Sequence, residues 1–222
     1  MDLRIVLFDL DHTLISGDSD FEWAQFLIGQ GVLDREVYEA RNQEFYDAYM
    51  AGTLDIYAFL DFQLKPLSRH GLAQLEDWHA LFMSQKILPM ITSRAREEVA
   101  QAKETADYVV MITATNCFVT GPIAREFGIS HLIATIPEKK NGNYTGQVDG
   151  VPCFREGKIT RFHQWLENQG LSWESVNECR FYSDSHNDLP LLKMVSEPVA
   201  VDPDTILSEY ARRCQWPVIS LR

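Results

Sequence analysis

From Pro89 onward the sequence alternates short apolar runs with helix-length segments, and few folds satisfy that rhythm. The runs at residues 108–112, 131–136, 179–182 and 198–201 are too short for helices and rich in Val, Ile, Phe and Tyr. They read as buried strands. Helical segments are expected at 93–107, 119–127, 157–168 and 188–194. Strands separated by helices build a parallel, doubly wound sheet with helices on both faces. Residues 3–10, with Ile5, Val6 and Phe8, form one more such run at the start. Turn residues at Asn141-Gly142-Asn143 and Asp149-Gly150 frame a hairpin. The expected fold class is α/β.

Between the first strand and this alternating region the pattern changes. Aromatics recur at helical spacing (Phe21 and Phe26, Phe45 and Tyr49, Phe59 and Phe62), with breaks at Gly29-Gln30-Gly31, Gly52 and Pro66 to Gly71. This predicts about four helices and no strand, with the aromatic stripes as core. Residues 15–85 are therefore expected to be an inserted, all-helical cap. Residues 1–14 and 86–222 are expected to form the α/β core.

Composition narrows the partners. The formal net charge is −12, and residues 15–85 carry 12 Asp plus Glu against 4 Lys plus Arg. Such a chain repels nucleic acid and anionic membranes. No apolar stretch has membrane-spanning length, and Met1-Asp2-Leu3-Arg4 does not open a secretory leader. Cys117, Cys153, Cys179 and Cys214 lack metal-ligand spacing, so reduced thiols and a cytoplasmic location are expected.

In an open α/β sheet, ligands bind beyond the carboxyl ends of the strands. Polar residues collect there. Asp9, Asp11 and Thr13 follow the first run; Thr113, Thr115 and Asn116 follow residues 108–112; Ser183-Asp184-Ser185-His186-Asn187-Asp188 follows residues 179–182. Four clustered carboxylates need a cation, because mutual repulsion otherwise raises their pKa values. An oxygen-rich set favours a hard ion, Mg²⁺ above all, and an ion that keeps several waters suits phosphoryl chemistry. One of Asp9 and Asp11 could attack phosphorus while the other handles protons. Thr113 and a lysine could hold the phosphoryl oxygens, and Lys158, opening a helix after Gly157, is the best-placed lysine. His12 and His186 flank these Asp residues and read as loop histidines.

With these residues in view, the chain resembles the haloacid dehalogenase-like superfamily, and within it the phosphoserine-phosphatase-like branch. The resemblance rests on Asp9-Leu10-Asp11-His12-Thr13-Leu14, Ile112-Thr113-Ala114-Thr115-Asn116, Gly157-Lys158 and Ser183-Asp184-Ser185-His186-Asn187-Asp188, in that order along the whole chain. It implies a Rossmann-like core with a small helical cap, and hydrolysis of a small-molecule phosphomonoester. Asp9 would be the nucleophile, forming an aspartyl-phosphate, and Asp11 the acid and base. Thr113, Ala114, Lys158 and Asn187 would hold the phosphoryl group. Asp9, the Asp11 carbonyl and Asp184 would bind Mg²⁺, with Asp188 anchoring Lys158 or a metal-bound water. The branch's phosphoserine phosphatases carry a Gly-Gly pair where Ala114-Thr115-Asn116 stands here. They place Glu, reading the substrate amine, where Asp18 stands. Their carboxylate-reading cap arginine has only Arg41 as a candidate counterpart. Some bacterial histidinol-phosphate phosphatases also resemble this branch, and an amine-bearing substrate without a carboxylate suits an acidic cap.

Two other readings share the fold. A phosphotransfer domain would keep a stable aspartyl-phosphate, but receivers of that kind carry the acceptor on an internal strand and no such cap. A non-catalytic binding module would not need Asp9, Asp11, Thr113, Lys158, Asp184 and Asp188 together.

Overall fold

The computed structural model describes residues 3–222. Met1 and Asp2, on which the expectation about a secretory leader and the start of the expected core segment fall, lie outside the described residues. Seven strands form one sheet: β1 (Leu3–Phe8), β2 (Tyr108–Asn116), β3 (His131–Lys140), β4 (Asn143–Asp149), β5 (Val176–Ser183), β6 (Glu197–Val201) and β7 (Val218–Ile219). Their order is β4-β3-β2-β1-β5-β6-β7, and every pairing is parallel except the β3–β4 hairpin. The doubly wound α/β expectation holds. β1 pairs with both β2 and β5. The chain therefore departs to opposite sides at the centre of the sheet, the switch point where ligands bind. Strand β1 earns its place there by sequence: Ile5, Val6, Leu7 and Phe8 are all buried.

Both faces are packed. Leu7, Ile112, Phe162, Phe181 and Leu192 belong to one apolar cluster, and Phe8, Met111, Val119 and Tyr182 to the other. Phe8 stacks on Tyr182 with ring centroids 4.5 Å apart.

Four helices lie between β1 and the rest: α1 (Ser19–Gly29), α2 (Arg35–Met50), α3 (Ile56–Ser68) and α4 (Leu72–Phe82). The first three are capped by carboxylates. Asp18 accepts from Phe21 N, Asp34 from Val37 N, and Asp55 from Tyr57 N and Ala58 N. Part of the segment's acidity is thus spent on helix starts. The helical path runs on past Gln85 through short turns at Met83–Ile87 and Leu88–Met90. The two stems meet where Ile15 pairs with Ile91.

The aromatic stripes are mostly core, as expected. Trp23, Phe26, His79 and Phe82 pack on one another, and Phe118 of α6 (Cys117–Glu126) joins them. Burial lowers the His79 pKa, and its Nε2 lies 2.8 Å from the Val119 carbonyl. This His works as a neutral donor within the packing. Two aromatics depart from the expectation. Phe21 is 44% exposed, and Tyr49 turns toward the polar edge of the sheet instead of the core.

Several boundaries move. β2 runs to Asn116 instead of ending near Ile112, because its register resumes with Asn116 opposite Thr135 after an irregularity. Buried threonine hydroxyls are tolerated there because each finds a partner. The helix expected at 188–194 shrinks to α8 (Leu189–Leu192), preceded by a tight turn at His186–Asp188. The remaining helices are α5 (Ser93–Thr105), α7 (Glu156–Asn168) and α9 (Thr205–Cys214). Among the described residues no helix is long and apolar enough to cross a membrane.

One glycine fixes the approach of α7. A Cβ on Gly157 would sit 2.0 Å from the Pro152 carbonyl oxygen, an immovable backbone atom. Gly157→Ala is expected to cost at least about 2 kcal/mol in urea unfolding, since α7 must shift away from the β4–α7 loop. An unchanged midpoint would contradict this packing.

Candidate active site

Asp9 follows β1, and its backbone N–H still donates to Tyr182 O of β5 at 2.9 Å. The chain then turns sharply over Leu10–Leu14. Asp11 is extended (φ −68°, ψ 132°), whereas His12 is left-handed (φ 54°, ψ 2°). His12 N donates to Gly17 O at 2.9 Å, which closes the turn. The side chain of His12 is exposed.

Lys158, from the first turn of α7, is 3% exposed and lies under this turn. Its Nζ donates to Asp9 Oδ1 at 2.8 Å and to Asp188 Oδ2 at 2.7 Å. Ser183 Oγ also donates to Asp188 Oδ2, at 2.7 Å. Thr13 Oγ1 lies 3.1 Å from Asp9 Oδ2 and 3.2 Å from Asp184 Oδ1, and it accepts the Asp184 N–H at 3.1 Å. One hydroxyl proton thus serves two carboxylates.

Asp11 points to other partners. Its Oδ1 accepts from Ser19 N at 2.6 Å, and its Oδ2 from Thr115 Oγ1 at 2.8 Å and Thr113 Oγ1 at 3.4 Å. Three donors from two elements fix this carboxyl group. Beside it, Asp18 caps α1, and buried Asp20 accepts from Asn116 Nδ2 at 3.2 Å.

The electrostatics follow from burial. Loss of water pushes the Asp9 carboxyl up to about 7, against the pull of Lys158 and with a further push from Asp188. Burial, then Asp9 and Asp188, hold Asp184 well above the usual carboxylate range. Burial and then Asp11 push Asp18 up to about 6. Burial opposes the Lys158 ammonium, but Asp188 and Asp9 together outweigh it and raise its pKa. Asp9, Asp184 and Asp188 thus share a single buried ammonium, so the cluster lacks positive charge.

A hard divalent cation fits that deficit. Asp9 and Asp184 supply oxygen, the Asp11 carbonyl follows on the same turn, and Cys and His are not needed. Of the four acids expected about the metal, Asp9, Asp11, Asp184 and Asp188, two are held by other partners through their carboxylates. Among the described residues no three His, Cys, Asp or Glu side chains are grouped as a metal cage. Asp188 is engaged by Lys158 and Ser183, and the Asp11 carboxylate by Ser19, Thr113 and Thr115. Two carboxylates with the remaining positions left to water are what Mg²⁺ accepts more readily than a full protein cage.

The other expected residues fall as follows. Thr113 and Ala114 lie on β2 at the same edge, and the Ala114 carbonyl accepts from Thr135 Oγ1 at 2.7 Å. Asn187 is buried, with Oδ1 accepting from Arg155 Nε at 2.9 Å. Asp18 adjoins Asp11. Arg41 does not reach this cluster: it lies exposed on α2, 2.5 Å from Glu44 and 4.4 Å above the Phe45 ring. His186 Nδ1 sits 2.7 Å from Asp204 Oδ2. Sequence reasoning did not single out Tyr49, Arg155, Ser19 or Asp20. Asp20 alone carried a local signal, as a second acid one residue past Ser19.

Comparison with known proteins gives the family. The family model described as haloacid dehalogenase-like hydrolase matches residues 6–193. A curated relative named histidinol-phosphatase, from Neisseria meningitidis serogroup C, is 44% identical over 220 residues, covering 99% of each chain. A solved structure from Bordetella pertussis Tohama I, of a protein described as having unknown function, has 43% identity and a TM-score of 0.94, covering 100% of both chains. A phosphoserine phosphatase solved as a phospho-aspartyl intermediate analogue has 19% identity and a TM-score of 0.70, covering 100% of this chain and 95% of its own, and shares the fold. The chain belongs to the haloacid dehalogenase-like hydrolase family. Within it the chain is a phosphatase, as the sequence led one to expect.

The raised carboxyls give a signed prediction. Folded Asp9 and Asp184 hold their protons to higher pH than an aspartate of the unfolded chain, which titrates near 3.8. The Asp9 contribution to stability is therefore present below about pH 4 and lost as pH rises toward about 7, and Asp184 acts in the same direction. A divalent cation bound by these carboxylates would replace those protons, so Mg²⁺ should raise Tm more at pH 7 than at pH 5. Thermal unfolding at both pH values checks this, and an equal rise at the two would contradict it.

Proposed function

We propose that this phosphatase is a Mg²⁺-dependent phosphomonoesterase that works through an aspartyl-phosphate on Asp9, and that its substrate carries an amine. The observation that carries the chemistry is the buried Asp9–Lys158–Asp188 chain beside a separately held Asp11. Lys158 fixes Asp9 through one oxygen, leaving the carboxylate oriented for attack on phosphorus. Asp11 gives a proton to the leaving ester oxygen as the P–O bond breaks. A water then attacks the phosphoryl group on Asp9, Asp11 takes its proton, and inorganic phosphate leaves with Asp9 restored. Thr113, Lys158 and Asn187 are the groups for the phosphoryl oxygens. Mg²⁺, held by Asp9, Asp184 and the Asp11 carbonyl, would screen the repulsion between two anions.

Helices α1–α4 are read as the cap over this edge. The amine preference rests on the acids beside Asp11, namely Asp18 with Asp20 behind it, and on Arg41 being paired with Glu44. A site with acids beside it, with Arg41 turned away and Arg155 engaged by Gly52 and Asn187, suits histidinol phosphate better than phosphoserine. The 44% identical relative named histidinol-phosphatase supports that choice.

Asp9→Asn should lower magnesium-dependent phosphate release by at least about 10³-fold, with the fold intact by circular dichroism. Unchanged release would defeat the mechanism. Ranked by kcat/KM, histidinol phosphate should lead phosphoserine and an amine-free alkyl phosphate. Asp18→Asn should narrow the gap to the amine-free ester by about tenfold. If amine-bearing esters show no advantage, the substrate assignment fails.

A further inference from the structure

Arg155 stands three residues before Lys158, in the loop that leads into α7, and it has an unusual backbone for a residue with a side chain. Its φ is 51° and ψ −121°, a conformation that L residues other than glycine rarely adopt. Such a conformation is strained and persists only where surrounding structure holds it. The side chain does not cap α7. Instead its guanidinium spans two parts of the chain. Nη2 donates to the carbonyl of Gly52, in the α2–α3 turn, at 2.6 Å, and Nε donates to Asn187 Oδ1 at 2.9 Å.

A second link lies beside the first. Tyr49 OH, from the last turn of α2, donates to Ser185 Oγ at 2.7 Å. The Tyr49 and Phe154 rings lie 6.1 Å apart, and the Arg155 guanidinium stands 5.0 Å over Phe154. The Tyr49 carbonyl is 3.4 Å from Asn187 Nδ2. The geometry has a consequence for Asn187. With Oδ1 held by the guanidinium, Nδ2 donates to the Tyr49 carbonyl and lies 3.5 Å from Ser185 Oγ, so the whole amide is clamped between Arg155, the end of α2 and the turn after β5.

We propose that Arg155 is a positioning residue that latches the α2–α3 turn onto the core and, through the same guanidinium, holds the amide of Asn187 in place beside the proposed phosphoryl site. Closure of the helical segment and orientation of a phosphate-binding side chain are thereby one event. A lysine would do both less well, since its three donors sit on one atom, whereas the guanidinium spreads Nε and Nη2 along a rigid fork toward two separated acceptors. This inference rests on the proposed phosphatase site.

The test uses Arg155→Met, Arg155→Gly, Arg155→Lys, Asn187→Ala and the Arg155→Met/Asn187→Ala double variant. Glycine relieves the backbone while removing the latch, so Arg155→Gly should keep or raise Tm. Even so, it should lower kcat/KM for histidinol phosphate about 10- to 100-fold, as should Arg155→Met, with Arg155→Lys intermediate. The losses in the double variant should fall well short of multiplying, because Asn187 is the group on which Arg155 acts. Without substrate, thermolysin should cut the turn around Gly52 faster in Arg155→Gly and Arg155→Met than in the unsubstituted protein. Wild-type kcat/KM in Arg155→Gly, fully multiplicative losses, or unchanged cleavage would each overturn the latch. Absence of hydrolysis by the unsubstituted enzyme would instead defeat the proposed function, and cleavage would still decide the latch.

Discussion

The ion pair between Lys158 and its two carboxylates, Asp9 and Asp188, is the constraint around which the rest of this structure is arranged. A buried ammonium is costly to desolvate, and so is each buried carboxylate. The three are tolerable together only if contacts elsewhere hold them in register. Three elements meet for that purpose: the end of β1, the start of α7 and the turn after β5. Removing the lysine would leave two buried acids uncompensated, a loss of about 3–5 kcal/mol for pairs of this kind. Close packing of α7, forced by Gly157 against Pro152, brings the ammonium to the sheet edge.

The same pair divides the labour of the two aspartates. Asp9 is tied to the floor of the site by Lys158, whereas Asp11 is tied to the α1 and β2 side by Ser19 and Thr115. Groups two residues apart thus sit in different environments, because the left-handed His12 turns the chain between them and the helices that follow. Two carboxyls with separate surroundings can take separate roles in proton and phosphoryl transfer.

Much of this was legible in the sequence because the decisive residues follow strands. Asp9, Thr113 and Asp184 are found by asking what lies at the carboxyl ends of short apolar runs, and the parallel order of β2, β1 and β5 brings those ends side by side. Lys158 was legible from Gly157 and the helix that follows. What was not legible depends on pairs far apart in the chain. Tyr49 reads as one more aromatic in a helical stripe, yet its hydroxyl meets Ser185 across 136 positions. Arg155 reads as a loop residue until Gly52 is seen 103 positions away. Arg41 was chosen by type, but its neighbours Glu44 and Phe45, one turn along α2, claim it first. After Asp202 the short apolar signal gave no reading, and α9 and β7 complete the sheet's far edge there.

The central claim is that Asp9 carries the phosphoryl group. Its most direct test is peptide mass analysis of Asp11→Asn protein, acid-quenched during incubation with Mg²⁺ and 4-nitrophenyl phosphate. The nitrophenolate leaves without the acid of the first step, while the variant lacks the base for the second, so the intermediate should accumulate. The account predicts the mass of one phosphoryl group on the peptide containing Asp9, localised to Asp9 and absent when Asp9 is also replaced by Asn. A phosphoryl group on another residue, or an unmodified Asp9 while product is still released, would contradict it.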